Sequence, residues 1–128
     1  TAGVEEITGG KGVPVVFDGV GADTFDGSLK SLSPFGVLVS FGASSGPPPE
    51  LTLAVLATKA LYITRPSLAP HTATAELTKE IISPLFAAIR GGLSITISQT
   101  YALKDAANAH RALQSRKTTG STILEIQI

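Results

Sequence analysis

Cysteine is absent from all 128 residues, so the chain carries neither a disulfide framework nor a thiolate metal site. That absence fits a cytosolic protein, and a cytoplasmic location is the expectation. Charge of one sign is lacking as well: ten basic residues offset ten acidic ones, and they are scattered rather than grouped. Without a basic run there is no electrostatic footprint for nucleic acid or for an anionic membrane, and a small molecule or another protein is the better partner class. No apolar run approaches the ~20 residues of a membrane-crossing helix. The opening stretch TAGVEEITGGKG lacks the basic start and apolar centre of a signal peptide. Histidine is sparse, with His71 and His110 isolated from any partner at metal-ligand spacing, so a structural or solvated role is expected for each. Neither G-x-G-x-x-G nor G-x-x-x-x-G-K-[ST] joins a strand to a helix, H-E-x-x-H is missing, and no Ser/His/Asp or Cys/His arrangement offers a nucleophile. No catalytic residue and no metal ligand is assigned.

What is present is an alternation of short apolar runs and amphipathic segments, in a composition 43% apolar and sufficient for a core. TAGVEEITGGKG reads as the tail of an acidic helix with a glycine-rich exit, and the expectation is a piece of a longer protein. Residues 13–17 (VPVVF) have the pattern of a strand buried on both faces. From about residue 23 to 32, Phe25, Leu29 and Leu32 recur at helical spacing, and Ser33-Pro34-Phe35-Gly36 is expected to stop the helix. Residues 37–41 repeat the apolar run, which makes a unit of the size of a parallel, right-handed crossover. Beyond the irregular Pro47-Pro48-Pro49, a helix over 51–59 and a strand over 60–64 (ALYIT) follow. The longest helix is predicted over 74–90, with Pro84 kinking it, then a strand over 93–98, a helix over 103–115 and a closing strand over 121–126. This order defines an α/β protein.

Three features bear on function, and the residues alone leave each open. Asp18-Gly19-Val20-Gly21 follows a strand and precedes a helix, but lacks the third glycine of a dinucleotide fingerprint; a tight turn capped by Asp18 is the better reading. LVSFGASSG (residues 38–46) ends a strand in small residues, which suits either a plain connection or the floor of a pocket for a flat ring. Arg65 and the stretch 115–120 (SRKTTG) carry cations that either serve helix ends and water or pair with a phosphate.

Taken in order, VVFDGVGADTFDGSLKSLSPFGVLVSFGASSGP, LYITRPSL and AANAHRALQSRKTTGSTIL resemble the C-terminal part of the quinone oxidoreductase (zeta-crystallin-like) branch of the medium-chain dehydrogenase/reductase family, which is alcohol dehydrogenase-like. The resemblance covers nearly the whole chain. It implies that residues 1–65 are the C-terminal half of an NADP-binding Rossmann domain, and that 66–128 return to complete a GroES-like catalytic domain. The glycine-rich phosphate turn of such proteins would lie upstream. By the same likeness Val20 lies beside the nucleotide, and Phe41, Gly42, Ala43 and Ser44 line the nicotinamide half. Pro66, Ser67 and Leu68 would face the nicotinamide, and Arg116 would reach the cofactor from the C-terminal segment. Ala43 stands where the family usually has asparagine, which removes a side-chain hydrogen bond. The implied reaction is hydride transfer from NADPH to a quinone or another conjugated carbonyl, without zinc, in a homodimer joined through Ala60 to Thr64. The segment alone is expected to be inactive. Two other readings stay open: a non-catalytic dinucleotide-binding or dimerisation module, and a methyltransferase-like Rossmann domain.

Overall fold

A computed structural model describes residues 1–126. They form two compact units, one over Thr1–His71 and one from Thr72 onward.

The first unit runs α1 (Ala2–Thr8), β1 (Val13–Asp18), α2 (Phe25–Ser31), β2 (Leu32–Ser40), α3 (Leu53–Ala57), β3 (Tyr62–Thr64) and α4 (Leu68–His71). The three strands make one parallel sheet in the order β1-β2-β3. Asp18 pairs with Ser40 and Val39 with Thr64, so the loops after all three strands leave from the same edge. Right-handed crossovers that add consecutive strands in one direction put their helices on one side of a sheet. Phe25 and Leu29 of α2 accordingly share one cluster with Leu32, Leu38 and Leu61, and Val16, Leu56 and Ile63 pack against it.

The opposite side of the sheet is open, which corrects the expectation that residues 13–17 are buried on both faces. Val15, Phe17 and Tyr62 point away from the cluster, and Phe17 is 72% and Tyr62 61% exposed. A doubly apolar strand is written for two covering layers, and one layer is present in this unit. The helix does end just before Ser33-Pro34-Phe35-Gly36, as expected, and those residues form a bulge inside β2. The ladder jumps from Val13↔Leu32 to Val15↔Val37. Pro34 has no N–H for the ladder, and Phe35, at φ 63°, gives its N–H to the Lys59 carbonyl at 2.8 Å. Lys59 also closes the end of α2: its Nζ donates to the Leu32 carbonyl at 2.6 Å and to that of Lys30 at 3.1 Å, a cation at the negative end of the helix dipole. α4 was not expected; no element is predicted between the strand over 60–64 and the helix over 74–90.

In the second unit α5 (Ala75–Arg90) starts at Thr74, whose side chain accepts the Leu77 N–H, and continues as one helix across Pro84. β4 (Ile97–Ala102), a 3₁₀ turn (Leu103–Asp105), α6 (Ala106–Gln114) and β5 (Ser121–Glu125) follow, with β4 and β5 parallel. The strand expected over 93–98 thus begins four residues later. It forms where β5 supplies a ladder, and the Gln99 side chain extends that ladder by accepting from Thr122 Oγ1 and donating to the Thr119 carbonyl. Among the described residues no helix is long and apolar enough to cross a membrane.

Leu38 is fully buried at the centre of the first unit's core. Leu38→Ala is expected to lower the unfolding free energy by about 2–5 kcal/mol in urea titrations, because a central strand leaves little room for collapse into the cavity.

Candidate functional site at the strand ends

Asp18 ends β1 with its side chain 3% exposed. An ionised carboxylate in that position needs donors on every side, and the local sequence provides them. The backbone N–H groups of Val20 and Gly21 donate to Oδ1 at 2.9 and 3.0 Å, which wraps the chain into a turn. Thr24 Oγ1 donates to both carboxylate oxygens at 2.9 and 3.0 Å, and Ser28 Oγ donates to Oδ2 at 2.7 Å. Thr24 and Ser28 are one helical turn apart and therefore address the same point. Burial alone would raise the carboxyl's affinity for its proton. The Gly21 N–H, the Ser28 hydroxyl, the Val20 N–H and the Thr24 hydroxyl outweigh it, and the pKa falls from the ordinary 3.8 to about 2. The turn-capping role expected of Asp18 is what the structure shows.

The Asp18 carbonyl binds the neighbouring loop, accepting the Phe41 N–H at 2.9 Å and the Gly42 N–H at 3.3 Å. Further along, Ser45 donates its N–H and its hydroxyl to the Val20 carbonyl, at 2.9 and 2.8 Å, while its Oγ accepts the Asp23 N–H at 3.0 Å. The Ala22 N–H closes the pair on the Gly46 carbonyl at 3.1 Å. Two loops can run this close only where side chains are missing. A Cβ on Gly42 would strike the Gly19 carbonyl, and one on Gly19 would meet the Phe41 ring at 3.0 Å. Gly21, at φ 89°, needs the left-handed region and lies against Gly46 and Ala43. The segment LVSFGASSG is therefore half of a rigid double turn.

Phe41 leaves this turn 57% exposed and forms one wall of an open, almost wholly apolar groove with Pro66, Ser67, Leu68 and His71. Its cavity volume is ≈ 290 Å³, at the lower end of the roughly 300–1,000 Å³ of small-molecule sites, as befits one wall of a site. Beside it Arg65 donates to the buried Ser40 hydroxyl at 3.3 Å, tying the end of β3 to the end of β2. A larger hollow of ≈ 440 Å³ runs along a single helix, α5, and has no strand end or loop to shape it.

The structure thus brings Val20, Phe41, Gly42, Ala43 and Ser44 into one double turn, with Phe41 joining Pro66, Ser67 and Leu68 in the groove. Arg116 belongs to the second unit, where it follows α6 with φ 55° and an exposed side chain. Sequence reasoning gave His71 only a structural or solvated role, left Arg65 open between water and a phosphate, and held Ser45 within LVSFGASSG without a role of its own; the Thr24/Ser28 spacing behind Asp18 was a further readable signal. Among the described residues no three His, Cys, Asp or Glu side chains converge on a metal position.

Parallel strands whose loops leave one edge, with a groove there, are the layout at which doubly wound α/β proteins bind ligands. The chain belongs to the zinc-binding dehydrogenase family, whose model matches residues 1–124. It is 47% identical over 123 residues to the quinone oxidoreductase of Pseudomonas aeruginosa, covering 94% of this chain and 38% of that one. Its fold superposes on the Escherichia coli quinone oxidoreductase solved with NADPH with a TM-score of 0.87 at 45% identity, over 96% of this chain and 39% of the other. A mycobacterial protein, also solved with NADPH, gives a TM-score of 0.88 at 46% identity, over 96% of this chain and 38% of that one. The chain therefore spans well under half the length of the relatives it matches. It corresponds to the C-terminal part of a quinone oxidoreductase of the medium-chain dehydrogenase/reductase type.

A carboxyl with a depressed pKa stabilises the fold above its unfolded value and loses that contribution as pH falls through its folded value. Between pH 5 and 7, Asp18→Asn is expected to cost about 2 kcal/mol of stability. The gap between wild type and variant should close as pH falls from about 4 to 2, measured by urea unfolding across that range.

Proposed function

We propose that this chain is the C-terminal part of an NADPH-dependent reductase of quinones or conjugated carbonyls. The observation that carries the reading is the double turn at the strand ends opening onto an apolar groove, in a chain 47% identical to a quinone oxidoreductase. On this reading residues 1–65 are the second half of the NADP-binding domain, and 66–128 return to the catalytic domain. Val20, Gly42, Ala43 and Ser44 flank the dinucleotide with small side chains and accessible backbone, which suits close approach of a flat ring. Phe41, Pro66, Ser67 and Leu68 form the nicotinamide wall, and Arg116 is a cation for a phosphate group.

The reduced nicotinamide supplies the hydride when bound. The part of this chain is to hold the ring against an apolar wall, so that catalysis rests on positioning. The Asp18 and Ser45 hydrogen bonds fix the double turn from which Phe41 enters that wall. The remaining parts of the full-length protein complete the site, and the segment alone is inactive.

The same reading includes a homodimer through Ala60 to Thr64. β3 is an edge strand with Tyr62 61% exposed, and an unpaired strand edge invites a second copy. Light scattering of the full-length protein should give a dimer, and a monomer at high concentration would count against the pairing.

Nicotinamide fluorescence on the full-length protein tests the cofactor site. Gly42→Val, whose side chain has to displace the Gly19 carbonyl, should weaken NADPH by roughly tenfold or more. Ala43→Asn should tighten it by about threefold to tenfold, the worth of one added hydrogen bond. Unchanged affinity in both variants would refute the site.

A further inference from the structure

The groove beside Phe41 has one ionisable side chain, and nothing in the sequence pattern singles it out. His71 lies three residues after Leu68 on the single turn of α4, the spacing that sets two side chains on one face, and both line the groove. Phe41, Pro66 and Leu68 supply apolar surface, which leaves Ser67 and His71 as the polar side chains of the lining. In a site of this kind a few polar groups fix the ligand's orientation, while apolar contacts supply area.

We propose that His71 orients the substrate, donating a ring N–H to the carbonyl oxygen of a flat conjugated carbonyl compound stacked on the outer face of the nicotinamide at the mouth of this groove. The assignment rests on reading the groove as the nicotinamide wall. An oxidised quinone or enone has acceptor oxygens and no donor of its own, so a residue that recognises it has to donate. Imidazole carries at least one N–H in either protonation state. When neutral it also has an acceptor nitrogen, so it can pair with the carbonyl before reduction and with the hydroxyl afterwards. Phenylalanine at this position keeps a ring of similar size and removes the donor. Glutamine keeps a donor and loses the ring.

Equilibrium binding of 1,4-naphthoquinone to the full-length protein saturated with NADP⁺ separates these roles, because the oxidised cofactor permits no turnover. His71→Phe should weaken naphthoquinone about tenfold, as expected for one lost hydrogen bond, with NADP⁺ affinity unchanged. His71→Gln should restore binding to within about threefold of wild type. The substituted side chain is exposed, so both variants should fold. If NADP⁺ binds normally and His71→Phe holds naphthoquinone as tightly as wild type, the His71 assignment is overturned alone. If the wild-type protein binds no NADP⁺, the reading of the groove fails and the assignment falls with it.

Discussion

The architecture of the strand-end site depends on one buried carboxylate. Asp18 ties down the turn that follows its own strand through two backbone N–H groups. It anchors the start of α2 through Thr24 and Ser28, and through its carbonyl it holds the first residues of the neighbouring loop. A neutral residue in its place would leave donors without an acceptor, in surroundings where each such loss is expensive. The depressed pKa is the electrostatic signature of that arrangement. Positioning of Val20 therefore follows from the buried charge, and that of Phe41, Gly42 and Ser44 from the backbone carbonyls of Asp18 and Gly19, in the turn that charge holds.

Close approach is the second constraint, and it acts through what is missing. Gly19 and Gly42 face each other across the two loops, and Gly21 takes a backbone angle that a side chain resists. With these contacts in place, the double turn fixes the backbone from which Phe41 enters the apolar groove. Rigid placement of this kind suits hydride transfer, where orientation rather than proton chemistry carries much of the barrier reduction.

Much of the fold was legible because the apolar runs and their punctuation are strong. VPVVF and GVLVS lie in parallel strands, the Phe25/Leu29 spacing marked the helix face that enters the core while Leu32, read as its third member, begins β2, and Thr74 marked the start of α5. What the pattern could not convey was how much covering a strand receives, since Phe17 reads as core and stands exposed in this unit. Nor could it convey that Pro34 and Phe35 make a bulge within β2, because the carbonyl that takes the Phe35 N–H is supplied by Lys59, far along the chain. The site was legible as the end of a strand in LVSFGASSG, and the family resemblance drew Pro66 to Leu68 towards it. The places of His71 and Arg65 were not readable, since their neighbours are brought together by β2 and β3 lying side by side, and no spacing along the chain records that.

Amide hydrogen exchange on the full-length protein, with and without NADPH, reads the strand-end site residue by residue. NADPH is expected to slow exchange at Val20 and at Phe41 to Ser44, and at Ser67 and Leu68 along the groove. Protection that appears elsewhere in the protein and leaves these amides unchanged would contradict a cofactor site there.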